Sequence, residues 1–184
     1  MAELCGGCRP TGSCRLGIRT WVVDERTASV SATATCPASH AGGPQIAHGG
    51  WTAAVFDDVL GRLPNLLGER AVTAELHVHF RRPVPTELPL VVRAAVVGRD
   101  GRNSRVVGDL ALAAAPDIPL ATAEAVLTAV DDGHVDRHRA WLAEQGLRSP
   151  APADRAPADR PAARPRPPRD EPPEWAGLLD DWEL

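Results

Sequence analysis

Apolar positions along this 184-residue chain change their period several times, and each change predicts an element. Leu16 to Val23 and Ala28 to Thr35 read as a strand pair joined at Asp24-Glu25-Arg26. From His48 to Gly61 the period lengthens to that of a helix, with Trp51, Thr52, Val55, Phe56, Val59 and Leu60 on one broad side. Four β-rich runs follow: Ala71 to Phe80, Leu88 to Val97, Ser104 to Ala113 and Ala121 to Val130. Asp100-Gly101 marks a hairpin between two of them, because glycine accepts the positive φ of a tight primed turn. His134 to Gly146 adds a surface helix. One early helix and six strands, most of them consecutive, predict an α+β domain in which a curved antiparallel sheet packs around the helix.

The helix has a second face. Gly50, Ala53, Ala54, Asp57 and Gly61 share it, a strip of small side chains carrying one carboxylate, which admits a ligand or another backbone. The expectation is a buried Asp57, with Asp58 on the flank beside Trp51 and Ala54 in a solvated or capping role. Gly49 and Gly50 leave the first amides of the helix unobstructed, at the positive end of its dipole, where a carbonyl oxygen can dock; a tight loop before a helix accounts for the glycines equally well. In the strand from Thr73 to Phe80, strict alternation sends Ala74, Leu76, Val78 and Phe80 to one face and Thr73, Glu75, His77 and His79 to the other. That second face is too polar for a core and suits solvent or an interface. His77 and His79 lack a partner at zinc spacing, so no metal is expected there.

Charge and composition narrow the function classes. A net charge of -4 argues against nucleic acid as a partner. With no long apolar run and no secretory build at MAELCGGCRP, the expectation is a cytoplasmic protein that does not enter the membrane. From Pro150 the chain becomes a Pro/Ala/Asp/Arg run with a repeated APADR unit, a composition that cannot offset its ordering entropy. The expected organisation is a folded domain over 1–132, a short surface helix over 133–147 and a disordered tail over 148–184. The tail ends in EWAGLLDDWEL, where Trp175, Leu178, Leu179 and Trp182 have helical spacing, either a docking segment for a protein partner or an idle terminus.

Three blocks together resemble the hotdog-fold acyl-CoA thioesterases, in particular the phenylacetate-pathway branch: CGGCRPTGSCRLGI (Cys5 to Ile18), HAGGPQIAHGGWTAAVFDDVLG (His40 to Gly61) and TAELHVHFRRPVP (Thr73 to Pro85). The resemblance covers roughly residues 5 to 130 and implies a long helix wrapped by an antiparallel sheet, in a homodimer or homotetramer with two sites between subunits. It implies that Asp57 is the general base or nucleophile and that the amide of Gly49 or Gly50 polarises the thioester oxygen. His48 would orient the thioester, and Thr73, from the neighbouring subunit's strand, would position water. A thioester is already activated, so these groups suffice without metal or cofactor. Arg81 and Arg82 would meet coenzyme A phosphates. Where relatives often carry Gln or Asn this chain has Gly42, for which Gln45 is the candidate substitute. Cys5, Cys8, Cys14 and Cys36 offer four thiolates, but the family's first pair usually holds no metal, and a cytosolic chain disfavours a disulfide. Trp51 and Phe56 are candidates for shaping the acyl pocket. The expected activity is hydrolysis of an aryl-, short- or medium-chain acyl-CoA. The alternative is a hotdog module that binds such thioesters, or a carrier-protein partner, without cleaving them; a dehydratase is a weaker third option.

Overall fold

Helix α1 spans Gly49–Leu66 and is about 27 Å long at 1.5 Å per residue. It starts where the HGG block predicts but runs past Gly61, through Pro64. A proline interior to a helix loses one hydrogen bond; here Leu63 and Pro64 are both buried, and the apolar contact offsets that loss. Beyond the C-cap Leu67, Gly68 with its φ of 82° supplies the left-handed turn that lets the Glu69 amide reach back to the Pro64 carbonyl at 2.8 Å.

The computed structural model describes residues 8–147; Cys5, the APADR run and the terminal EWAGLLDDWEL segment lie outside these. Around α1 lie β1 (Ile18–Asp24), β2 (Ser29–Thr35), β5 (Ala71–Phe80), β6 (Pro89–Asp100), β7 (Asn103–Leu112) and β8 (Ala115–Ala129). They form one sheet in the order β1-β2-β6-β7-β8-β5, with every neighbouring pair antiparallel. The predicted hairpin joins β6 to β7, with Asp100 opposite Asn103 and Gly101 at φ 54°. The β1–β2 turn is closed by Asp24 Oδ1, which accepts the Arg26 amide at 2.9 Å. β5 does not pair with β6, its successor in sequence; it crosses to the far edge and pairs only with β8. A small hairpin, β3 (Ala41–Gly43) with β4 (Ile46–Ala47), precedes the helix; the sequence pattern does not reveal it because it is too short to show a period. Helix α2 (His134–Glu144) follows the sheet and has no buried residue.

The core is the contact between α1 and the concave face of the sheet. Val55, Phe56, Val59, Leu60 and Leu63 meet Leu90, Val92, Val106, Leu110 and Leu127, all at most 1% exposed. Each such side chain contributes about 1.5–3 kcal/mol when buried. The approach is closest at Gly108 of β7: a Cβ there would lie 2.7 Å from Leu60 Cδ1 and 2.6 Å from the Arg93 carbonyl oxygen. On the convex face Arg93 makes a two-pronged ion pair with Asp109, at 2.9 and 2.8 Å, and also donates to the Pro116 carbonyl at 2.8 Å. Burial nevertheless pushes the Asp109 carboxyl above its ordinary range, because the loss of hydration outweighs the attraction of Arg93.

Candidate active site

His48 is the N-cap of α1. Its extended backbone (φ −62°, ψ 139°) turns the chain into the helix, and its Nδ1 accepts the Gly50 amide at 2.9 Å. Since Nδ1 is an acceptor, neutral His48 carries its proton on Nε2 and presents an N–H donor. This cap uses the Gly50 amide and not that of Gly49, which lines the adjoining cleft. That cleft, about 360 Å³, is lined by Gly49 together with Ile46, Phe80, Arg81, Arg82 and Val84. Arg81 and Arg82 both donate their amides to the Leu120 carbonyl at 2.9 Å, and Arg82 also donates from its side chain to the Pro119 carbonyl at 3.1 Å. Alternation predicts Phe80 among the core-facing residues, but the end of β5 carries it beyond the helix. It is 57% exposed, and its ring would lie 3.5 Å from a Cβ placed on Gly49.

Gly42 packs on His48: a Cβ at Gly42 would lie 2.9 Å from His48 Cα. Gly42 therefore serves the cap by its small size. Gln45 sits at the β3–β4 turn with φ 58°, exposed, and lines neither cleft described here.

A second, more open cleft of about 620 Å³ lies further along α1, lined by Asp57, Asp58, Gly61 and Arg62 and by the start of β5 from Ala71 to Ala74. Asp57 is exposed within one chain rather than buried, because no described element covers this part of the small-residue strip of α1. Asp58 is not simply solvated: it accepts from Arg62 at 3.1 Å, one helical turn on, and both side chains are about four-fifths buried.

Strict alternation fails at Thr73. The register of β5 on β8 shifts between Thr73 and Glu75, so Ala74 is an extra residue, a β-bulge. One inserted residue reverses the facing of everything before it. Thr73 therefore joins Ala71, Leu76 and Val78 on the helix side instead of Glu75 and His77. Its Oγ1 would lie 3.2 Å from a Cβ on Gly61, one turn beyond Asp57. Thr73 thus stands in the same cleft as Asp57 within one chain, where the family pattern draws it from the neighbouring subunit. Glu75 and His77 stay on the exposed face, 3.8 Å apart. Trp51 and Phe56 enter neither lining: Phe56 is in the core, and buried Trp51 donates its indole N–H to the Leu16 carbonyl at 3.2 Å. Arg62 and Phe80 are the site-bordering residues that pattern alone does not single out; the (i, i+4) spacing of Asp58 and Arg62 is the signal that marks the first.

Among the described residues no helix is long and apolar enough to cross a membrane. Residues 44–108 match the family described as Thioesterase superfamily. A solved thioesterase superfamily protein is 30% identical, with TM-score 0.51; the match covers 55% of this chain and 49% of that one, so this chain spans about half its length. A phenylacetic acid degradation-related protein from Ralstonia eutropha JMP134 is 25% identical over 69% of this chain and 92% of its own, with TM-score 0.57. A thioesterase protein from Streptococcus pneumoniae TIGR4, solved with coenzyme A, shares the fold at 16% identity over 61% of this chain and 90% of its own, with TM-score 0.54. A search of curated proteins gives no match. Residues 44–108 are thus similar to the thioesterase superfamily, and the chain, a long helix on a curved antiparallel sheet, has the hotdog fold.

Proposed function

We propose that this protein hydrolyses acyl-CoA thioesters, with Asp57 as general base or nucleophile, Thr73 positioning the attacking water and the Gly49 amide polarising the carbonyl. The observation that carries the reading is the bulge at Ala74, which turns Thr73 into the cleft of Asp57, beside the glycine that makes room for it. A carboxylate with a hydroxyl alongside is what general-base attack by water requires. His48, capping the helix through Nδ1, holds Nε2–H ready to donate to the thioester oxygen and keeps the helix start in shape. Arg81 and Arg82 in the Gly49 cleft supply the charge for coenzyme A phosphates, the thiol seen with the pneumococcal protein of this fold.

The two halves lie apart in one chain. Gly49 and Asp57 are eight residues distant on α1, about 12 Å along the axis, and their clefts share no lining residue. A carbonyl bound by the Gly49 amide cannot at the same time meet Asp57 of the same copy. A second copy resolves this by bringing its helix start to the Asp57 cleft of the first. The ten-residue edge strand β5, paired on one side only, is a ready surface for that association. The working unit is therefore a homodimer or a homotetramer built from it.

The deciding experiment is thiol release from a panel of aryl- and fatty-acyl-CoAs. Turnover that disappears in Asp57→Asn supports the reading. Tight binding of acyl-CoA with no thiol released from any member would instead establish a thioester-binding module.

A further inference from the structure

Arg62 has no part in the catalytic scheme above, yet it borders the Asp57 cleft. Its guanidinium lies with Cζ 5.2 Å from the centroid of the Trp21 ring on β1, and it donates to Asp58 Oδ1 at 3.1 Å. Arg62 lines the cleft and Trp21 does not. An arginine held by an aromatic face and a carboxylate has already lost much of its rotamer freedom, which lowers the cost of binding a ligand. The rest of this wall is small or apolar: Gly61, Ala71, Val72, Ala74 and Leu76. Arg62 follows Asp57 by five residues, about 7.5 Å of helix rise.

On the proposed thioesterase reading, the cleft of Gly49, Arg81 and Arg82 takes the coenzyme A end. The acyl group must then extend from the reacting carbonyl into the remainder of the Asp57 cleft, toward Arg62. We infer that Arg62 sets acyl specificity, and that the preferred substrates are thioesters of short dicarboxylic acids, whose free carboxylate reaches the guanidinium. A largely buried, planar guanidinium binds a carboxylate with charge-assisted hydrogen bonds in fixed geometry, and an acyl chain ending in methyl offers it nothing. Asp58 is then a positioning residue: it acts on substrate only by orienting Arg62.

The test compares glutaryl-CoA with pentanoyl-CoA, matched in chain length. Wild type should favour glutaryl-CoA at least tenfold in kcat/KM, and Arg62→Met should cut that ratio at least tenfold, chiefly through KM. Arg62→Lys, which keeps the charge and loses the planar fork, should cut it several-fold; it also gives the answer if Arg62→Met does not fold. A merely structural role would lower both substrates together and leave the ratio unmoved, and that result, or a wild-type preference for pentanoyl-CoA, overturns the inference. Calorimetric titration with the thioethers S-(4-carboxybutyl)-CoA and S-pentyl-CoA separates this idea from the hydrolysis it rests on. If no thioester is cleaved but the carboxylated thioether binds tenfold tighter and Arg62→Met abolishes the difference, the selectivity of Arg62 stands and hydrolysis falls. Equal affinities in wild type sink the Arg62 assignment.

Discussion

Asp57 and Asp58 are adjacent in sequence but 100° apart around α1, and their surroundings differ accordingly. Asp57 stands exposed on the small-residue strip, in one cleft with Thr73 and Gly61, while Asp58 pairs with Arg62, whose guanidinium lies over Trp21. Asp57→Asn keeps shape and removes the base, so turnover should fall at least about a hundredfold with binding retained. Asp58→Asn takes the charged partner from a largely buried Arg62; it should cost about 1–3 kcal/mol and hold turnover of a simple methyl-terminated acyl-CoA within a few-fold. Steady-state kinetics on both variants, with circular dichroism as the folding control, separate them; equal losses would mean that the pair acts together. Asp109 offers a second test at this scale. Burial raises its pKa in the folded state, so folding favours the protonated carboxyl: the stabilisation is full below the unfolded value of 3.8 and is lost as pH rises through the folded value. Denaturant titrations should show wild type gaining stability relative to Asp109→Asn as pH falls through the carboxylate range from above. A constant difference across that range would show that burial does not control this group.

At the scale of elements, the sheet and helix are joined through positions that only particular residues can fill. Gly108→Ala would put a methyl group 2.6–2.7 Å from the Arg93 carbonyl oxygen and Leu60 Cδ1. It should destabilise by about 1–3 kcal/mol, the range for overpacking, measured by chemical denaturation. The bulge is the element-level feature on which the site depends. Thr73→Val keeps the shape of the side chain that the bulge turns into the cleft and removes its hydroxyl. Turnover should then fall while the fold, held by α1 and the central strands, persists. A Thr73→Val variant with undiminished activity would remove Thr73 from the mechanism.

For the whole molecule, the separation of Gly49 from Asp57 and the one-sided pairing of β5 lead to the same expectation. Sedimentation at micromolar concentration should show a dimer or tetramer; a strict monomer would rule out a site shared between copies. The Pro/Ala/Asp/Arg run from Pro150 is too poor in large apolar residues to offset its ordering entropy, so truncation after Ser149 should leave folding and thioester turnover nearly intact. Loss of either would reveal a role for residues that follow the surface helix.

Local pattern was enough for the parts that depend on neighbours in sequence. The apolar face of α1, from Trp51 to Leu60, the limits of β5 and the hairpin at Gly101 all follow from period and from glycine's backbone freedom, and the HGG and TAELHVHF blocks pointed to the hotdog fold. Asp57 was legible as the carboxylate on the small-residue strip because helical spacing alone puts Gly61 one turn away. Tertiary structure decided what depends on distance across the chain. The bulge that reverses Thr73 has no marker in AELHVHF, since register is set by pairing with β8. The carriage of β5 past the helix exposes Phe80, which alternation places in the core. The partner of Asp58 is four residues away in sequence, but its anchor, Trp21, comes from another strand. Periodicity records which side of an element is apolar; where that element sits, and what its polar side meets, is fixed only when the sheet closes on the helix.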